Sequence, residues 1–104
     1  MLNTKIEEKD GKYFVTLEGD FDTVASVKAE EKLSPLYESN GKDIIMDCKK
    51  LSYIASSGLR IMLAIMKGAR AGGSKVIMRD VNDTIKNVFK LAGFYNLFIF
   101  EESD

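Results

Sequence analysis

Two adjacent hydroxyls followed by a glycine, Ser56-Ser57-Gly58, separate a short apolar stretch ending at Ile54 from the run Leu59-Arg60-Ile61-Met62-Leu63-Ala64-Ile65-Met66. That run is too short to cross a bilayer and reads as a helix. A helix start exposes backbone N–H donors and the positive end of a dipole, so a serine there caps it well. The same geometry accepts a phosphate, which makes a capping serine a candidate modification site. A second polar group, Asp20 and Asp22, follows another apolar stretch. Either aspartate suits an Asx-turn or a helix cap. Asp20, Asp22 and Asp47 would hold a hard cation only if several of their oxygens converged, and no metal or other cofactor is expected.

What the chain lacks narrows the chemistry further. Its 104 residues contain no histidine, which removes the commonest general base, the Ser-His-Asp arrangement and most zinc sites. The one cysteine, Cys48, lies in an apolar run and reads as a small core residue. A lone cysteine fits a reducing, intracellular setting, and Met1 to Lys5 shows no signal-peptide core. Lysine plus arginine (15) against aspartate plus glutamate (16) leaves a net charge of -1, with no basic excess for nucleic acid. The expectation is a non-enzymatic cytoplasmic domain over residues 1–104, with no membrane insertion.

The elements that must position these residues follow from periodicity. Ile6 opens a strand that breaks at the hairpin dipeptide Asp10-Gly11, and Tyr13, Val15 and Leu17 alternate along its partner, Lys12 to Glu18. Gly19 to Thr23 then reads as a turn. Val24, Val27, Leu33 and Leu36 suggest one helix from Thr23 to about Glu38, capped by Asp22 or Thr23, with a kink or a tightened last turn at Pro35, and closed by Asn40-Gly41. Ile44 to Cys48 reads as a buried strand. The second helix should run from Ser57 to about Ala71 and stop at Gly72-Gly73. Lys75 to Met78 is the next strand, and Ile85, Val88, Phe89 and Ala92 mark a third helix ended by Gly93. Leu97 to Phe100 closes the sheet, and Glu101 to Asp104 reads as a frayed tail.

A β-hairpin followed by α-β-α-β-α-β predicts a single α/β layer, with a mostly parallel mixed sheet and helices packed against it. Sites in such sheets gather beyond the carboxyl ends of the strands. The segments Gly19 to Thr23 and Tyr53 to Gly58 both occupy such ends and should be neighbours. The second helix is apolar nearly all round. Leu59, Met62, Leu63 and Met66 would face the sheet. Ile61 and Ile65, on a partly different face, would be either deeply buried or covered by a partner, the expected outcome in so small a domain.

Two motifs, Leu17-Glu18-Gly19-Asp20-Phe21-Asp22 and Leu51-Ser52-Tyr53-Ile54-Ala55-Ser56-Ser57-Gly58-Leu59, resemble those of the STAS anti-sigma-factor antagonists. Gly72-Gly73 and Val88-Phe89-Lys90-Leu91-Ala92-Gly93-Phe94 also match, and the similarity spans essentially the whole chain. The resemblance implies a bacterial cytoplasmic regulator that binds an anti-sigma factor, usually also a serine kinase, and so frees a sigma factor. It implies a phosphoacceptor at Ser56, with Ser57 as second choice, and a serine phosphatase that restores binding. Expected partner contacts are Asp22, Thr23, Ser56, Ser57, Gly58 and Ile61, on a monomer or weak dimer. The chain departs from the family at Ala55, where an aspartate commonly precedes the acceptor. Two other readings compete: a constitutive STAS scaffold of a transporter or signalling complex, and a receiver-type domain phosphorylated on Asp47.

Overall fold

Asp10 and Gly11 both take positive φ, 53° and 74°, and turn β1 (Leu2–Lys9) back onto β2 (Lys12–Phe21) as an antiparallel hairpin. The computed structural model describes residues 1–103. After the hairpin come α1 (Thr23–Leu33), β3 (Ile44–Ile54), α2 (Ser56–Ala71), β4 (Val76–Arg79), α3 (Asp83–Leu91) and β5 (Ile99–Glu101). Short 3-10 segments follow α1 (Ser34–Tyr37) and α3 (Tyr95–Leu97).

The sheet order β1-β2-β3-β4-β5 is the chain order, and every pair after the hairpin is parallel. Each crossover therefore advances by one strand in the same direction, and right-handed connections place all three helices on one face. Val15, Met46 and Met78, aligned across β2, β3 and β4, point into that layer and are no more than 1% exposed. They form one cluster with Leu33, Leu36, Met62, Ile65, Ile85 and Phe89. The opposite face carries a separate aligned row of Phe14, Ile45, Ile77 and Ile99, outside that cluster.

Several local expectations change. β2 does not stop at Glu18: it runs on to Phe21, through Gly19 at φ +104°, so the turn begins at Asp22. β3 reaches Ile54 rather than Cys48, with a register irregularity opposite Thr16 to Glu18. α1 ends at Leu33 rather than near Glu38, and the tightened turn expected at Pro35 is the 3-10 segment that follows it. Its buried residues are Ser26, Ala29 and Leu33, whereas Val24 and Val27 are 84% and 69% exposed. Leu33 lies nine residues after Val24, about two and a half turns, so the two occupy opposite sides of the helix. Asn40-Gly41 forms its own turn after the 3-10 segment. Ala92 is exposed. The tail is not frayed as far as it is described. Glu101 ends β5, Lys86 pairs with Glu102, and the Ser103 backbone donates to Asp80 at 2.7 Å. Asp104 lies outside the described residues.

Cys48 is 1% exposed. Burial first, then the charges of Asp47 and Asp80, push its thiol up to about 12. Because the thiolate is the reactive form, iodoacetamide at pH 8 should leave the native protein unlabelled and modify it once unfolded in urea. Mass spectrometry reads the result, and native labelling at the rate of a free thiol would contradict this burial.

Candidate functional site at the start of the second helix

Phe21 and Ile54 are paired in the sheet, and Ala55 N–H donates to the Phe21 carbonyl at 2.8 Å. α1 and α2 therefore start side by side at the carboxyl edge of β2 and β3. Asp22 caps α1, its carboxylate accepting from Ala25 N–H at 2.8 Å. Thr23 is the exposed first residue of α1. The two expected loops are thus neighbours.

The expected serine cap is not formed. Ala55 occupies the cap position, with extended φ -87° and ψ 168°, and has no side-chain acceptor to offer. Ser56 and Ser57 are the first two helical residues instead. Their environments differ. Ser57 Oγ lies 2.8 Å from Ser26 Oγ, and Ser26 Oγ donates its hydrogen to the Asp22 carbonyl, also at 2.8 Å. A hydroxyl has one hydrogen, so Ser57 must be the donor in the pair. This chain ties the starts of the two helices together and consumes the Ser57 hydroxyl. Ser56 is exposed, and its hydroxyl makes no hydrogen bond among the described residues.

The backbone at Ala55 already has the cap conformation, so Ala55→Asp should supply the missing acceptor without rearrangement. We expect a gain of about 1 kcal/mol, a rise in Tm of roughly 4–8 °C for a domain near this size. Thermal unfolding checks it; an unchanged Tm would mean water already satisfies the first turn equally well.

Gly58 is buried, and a Cβ there would come within 2.9 Å of both the Phe21 ring and the Ile54 side chain. Its lack of a side chain relieves crowding against those two side chains, and, although expected as a partner contact, it offers a partner no surface. Ile61 is 5% and Ile65 0% exposed. The expected apolar partner face on α2 is therefore absent: α1 and the 3-10 segment Ser34–Tyr37 cover the side that the sheet does not. Ile61 sits at the base of a groove between α1 and α2 whose rim includes Thr23, Val27, Glu30 and Arg60. Tyr37 closes that groove, donating to Glu30 at 2.9 Å; burial and this bond push its phenol up to about 12.

The acidic residues do not assemble. Asp20 is exposed at the end of β2, Asp22 is committed to its cap, and Asp47 lies mid-strand, accepting from Lys49 N–H at 3.1 Å. No group of three acidic, histidine or cysteine side chains suited to a metal is found among the described residues. A receiver-type acceptor needs the strand end, which Asp47 does not occupy. Sequence reasoning missed Arg60, exposed one turn beyond Ser56, and Tyr53, 51% exposed opposite Asp20. Arg60 could have been found from its i, i+4 spacing on the helix.

A family model described as the STAS domain matches residues 3–104. The chain belongs to the STAS domain family. Among curated relatives, this STAS domain is 26% identical over 96 residues to the anti-sigma-B factor antagonist of Staphylococcus aureus, covering 92% of this chain and 89% of that protein. Among solved structures it resembles the anti-sigma factor antagonist SpoIIAA in its unphosphorylated form, with TM-score 0.76 and 20% identity, covering 98% of this chain and 90% of that one. The Bacillus SpoIIAA in its phosphorylated form gives TM-score 0.76 at 21% identity, with coverage of 98% and 92%. These likenesses agree with the α/β fold of one mixed five-stranded sheet and three helices. No described helix of this STAS domain is long and apolar enough to cross a membrane.

Proposed function

We propose that this domain is a cytoplasmic anti-sigma-factor antagonist, a non-catalytic switch that sequesters an anti-sigma factor with serine kinase activity. Phosphorylation of Ser56 turns it off, and a serine phosphatase restores it. The observation that carries this reading is the exposed, unbonded Ser56 hydroxyl at the sheet edge where the Asp22-capped α1 and α2 start together. Ser57 is the poorer acceptor because its hydroxyl is already given to Ser26. Asp22, Thr23 and Ser56 form the surface a partner meets, with Ser57 behind them. Gly58 and Ile61 act from beneath, by packing.

The anti-sigma factor of the same host, incubated with ATP and this domain, tests the reading. Phosphoserine at Ser56, and loss of the complex as it accumulates, are the expected results. A stable complex whose Ser56 is never modified would favour the constitutive scaffold, which the carboxylate-free Ala55 specifically favours. Ala55→Asp separates the two, because a kinase that reads the missing carboxylate should modify that variant faster. Absence of any complex with the anti-sigma factor would end the antagonist reading itself.

A further inference from the structure

The two edges of the sheet are unequal. β5 has three residues and is held to the Asp80 loop, where Asp80 N–H donates to the Glu101 carbonyl at 2.9 Å. β1 has eight residues and no strand beyond it. Asp20 N–H donates to the Met1 carbonyl, and Lys9 pairs with Lys12 across the two-residue turn. Alternation along an antiparallel pair then directs the backbone groups of Asn3, Lys5 and Glu7 toward β2. Those of Leu2, Thr4, Ile6 and Glu8 point outward. Lys32 agrees with this parity: its ammonium donates to the Thr4 carbonyl at 2.6 Å, from outside the sheet.

We propose that the β1 edge pairs antiparallel with β1 of a second copy of this chain, joining two sheets across a two-fold axis at Ile6. Outward backbone groups then meet in register, Thr4 with Glu8 of the partner and Ile6 with Ile6. The side chains choose the same register. Lys5 falls opposite Glu7 of the partner, twice, on the face away from the helices. Each protomer already holds Lys5 and Glu7 together at 2.8 Å on that face, so the two pairs merge into an alternating set of four charges. Sliding by one step that keeps the backbone parity sets Lys5 against Lys5, or Glu7 against Glu7, and like charges directly opposite are unfavourable. On the helix face, the groove between β1 and α1 opens at this edge. It is lined by Leu2, Val24 and Val27, and a second copy covers part of its exposed apolar wall. Lys32 guards the edge, since its ammonium must leave the Thr4 carbonyl before the partner's Glu8 N–H can take its place.

Sedimentation equilibrium of the intact chain, from micromolar to millimolar, tests the pairing. Wild type should approach twice the monomer mass, with each of Lys5→Glu and Glu7→Lys weakening association at least tenfold. The double variant Lys5→Glu/Glu7→Lys should recover it. Ile6→Pro removes a donor that β2 does not use, so a folded monomer by circular dichroism is expected. Lys32→Met, which has no side-chain donor, should tighten association several-fold by freeing the Thr4 carbonyl. Wild type that stays monomeric to millimolar concentration overturns the proposal. So does a dimer indifferent to the charge reversals and to Ile6→Pro, which would place the contact on another surface. Neither outcome depends on an anti-sigma factor.

Discussion

Gly68→Ala should destabilise this domain strongly, although it adds a single methyl group. α2 crosses the 3-10 segment Ser34–Tyr37 so closely that a Cβ on Gly68 would lie 1.9 Å from the Tyr37 carbonyl oxygen and 2.7 Å from its carbon. Both are backbone atoms, so no side-chain rotation relieves the overlap, and the two segments must part. That separation would disturb Leu36 and Ile65, each 0% exposed. Overpacking of a well-filled interior costs about 1–3 kcal/mol and more when backbone must move. Alanine's better helix propensity returns at most about 1 kcal/mol. We expect a net loss of about 2 kcal/mol or more, a fall in Tm of at least roughly 8 °C. Gly58→Ala is the internal comparison: its obstacles are the Phe21 and Ile54 side chains, so its loss should be smaller. Urea and thermal unfolding of both variants decide the matter, and a Gly68→Ala variant as stable as wild type would refute the close approach of α2 to Tyr37.

On the proposed antagonist function, Ser56→Asp should leave the fold intact and cost the domain its partner. At the first helical position a carboxylate faces the positive end of the helix dipole, which favours it by about 0.3–1 kcal/mol. Ser56 has no hydrogen bond to lose. An interface that buries the added charge without a matching cation loses far more, about 3 kcal/mol or above by the usual cost of an unpaired buried charge. Affinity for the anti-sigma factor should fall at least 100-fold. Ser56→Ala should keep both fold and partner. Calorimetric titration of the three proteins measures the difference. Equal affinity for wild type and Ser56→Asp would show that the partner docks elsewhere.

The order of elements was legible in the sequence because strand and helix periods differ and turn residues punctuate them: Asp10-Gly11, Gly72-Gly73 and Gly93 fall where the chain reverses or a helix ends. Side-chain type alone could not tell which apolar residues are covered. Val24 and Val27 read as core, yet they face away from Ala29 and Leu33. Ile61 and Ile65 read as surplus, yet α1 and a 3-10 turn lie over them. The helix start was displaced by one residue because β3 continues through Ile54, which moves the cap from a serine to Ala55. A one-residue shift is invisible to periodicity and decisive for chemistry, since it turns Ser56 from a capping group into a free hydroxyl. Nor could the sequence reveal the Ser26–Ser57 bridge, which joins residues 31 positions apart.

Because the strands lie across the sheet in the order in which they occur in the chain, the molecule can be assembled in the direction of its synthesis. The hairpin forms from neighbouring residues, and each later strand adds to an edge already present. None has to be threaded between two others. By the time Ala71 has left the ribosome, β1, β2, α1, β3 and α2 are all available, and the Asp22–Ser56 edge with them. β4, α3 and β5 then add outward from the β3 edge, so the residues of the Asp22–Ser56 edge emerge before the last third of the polypeptide does.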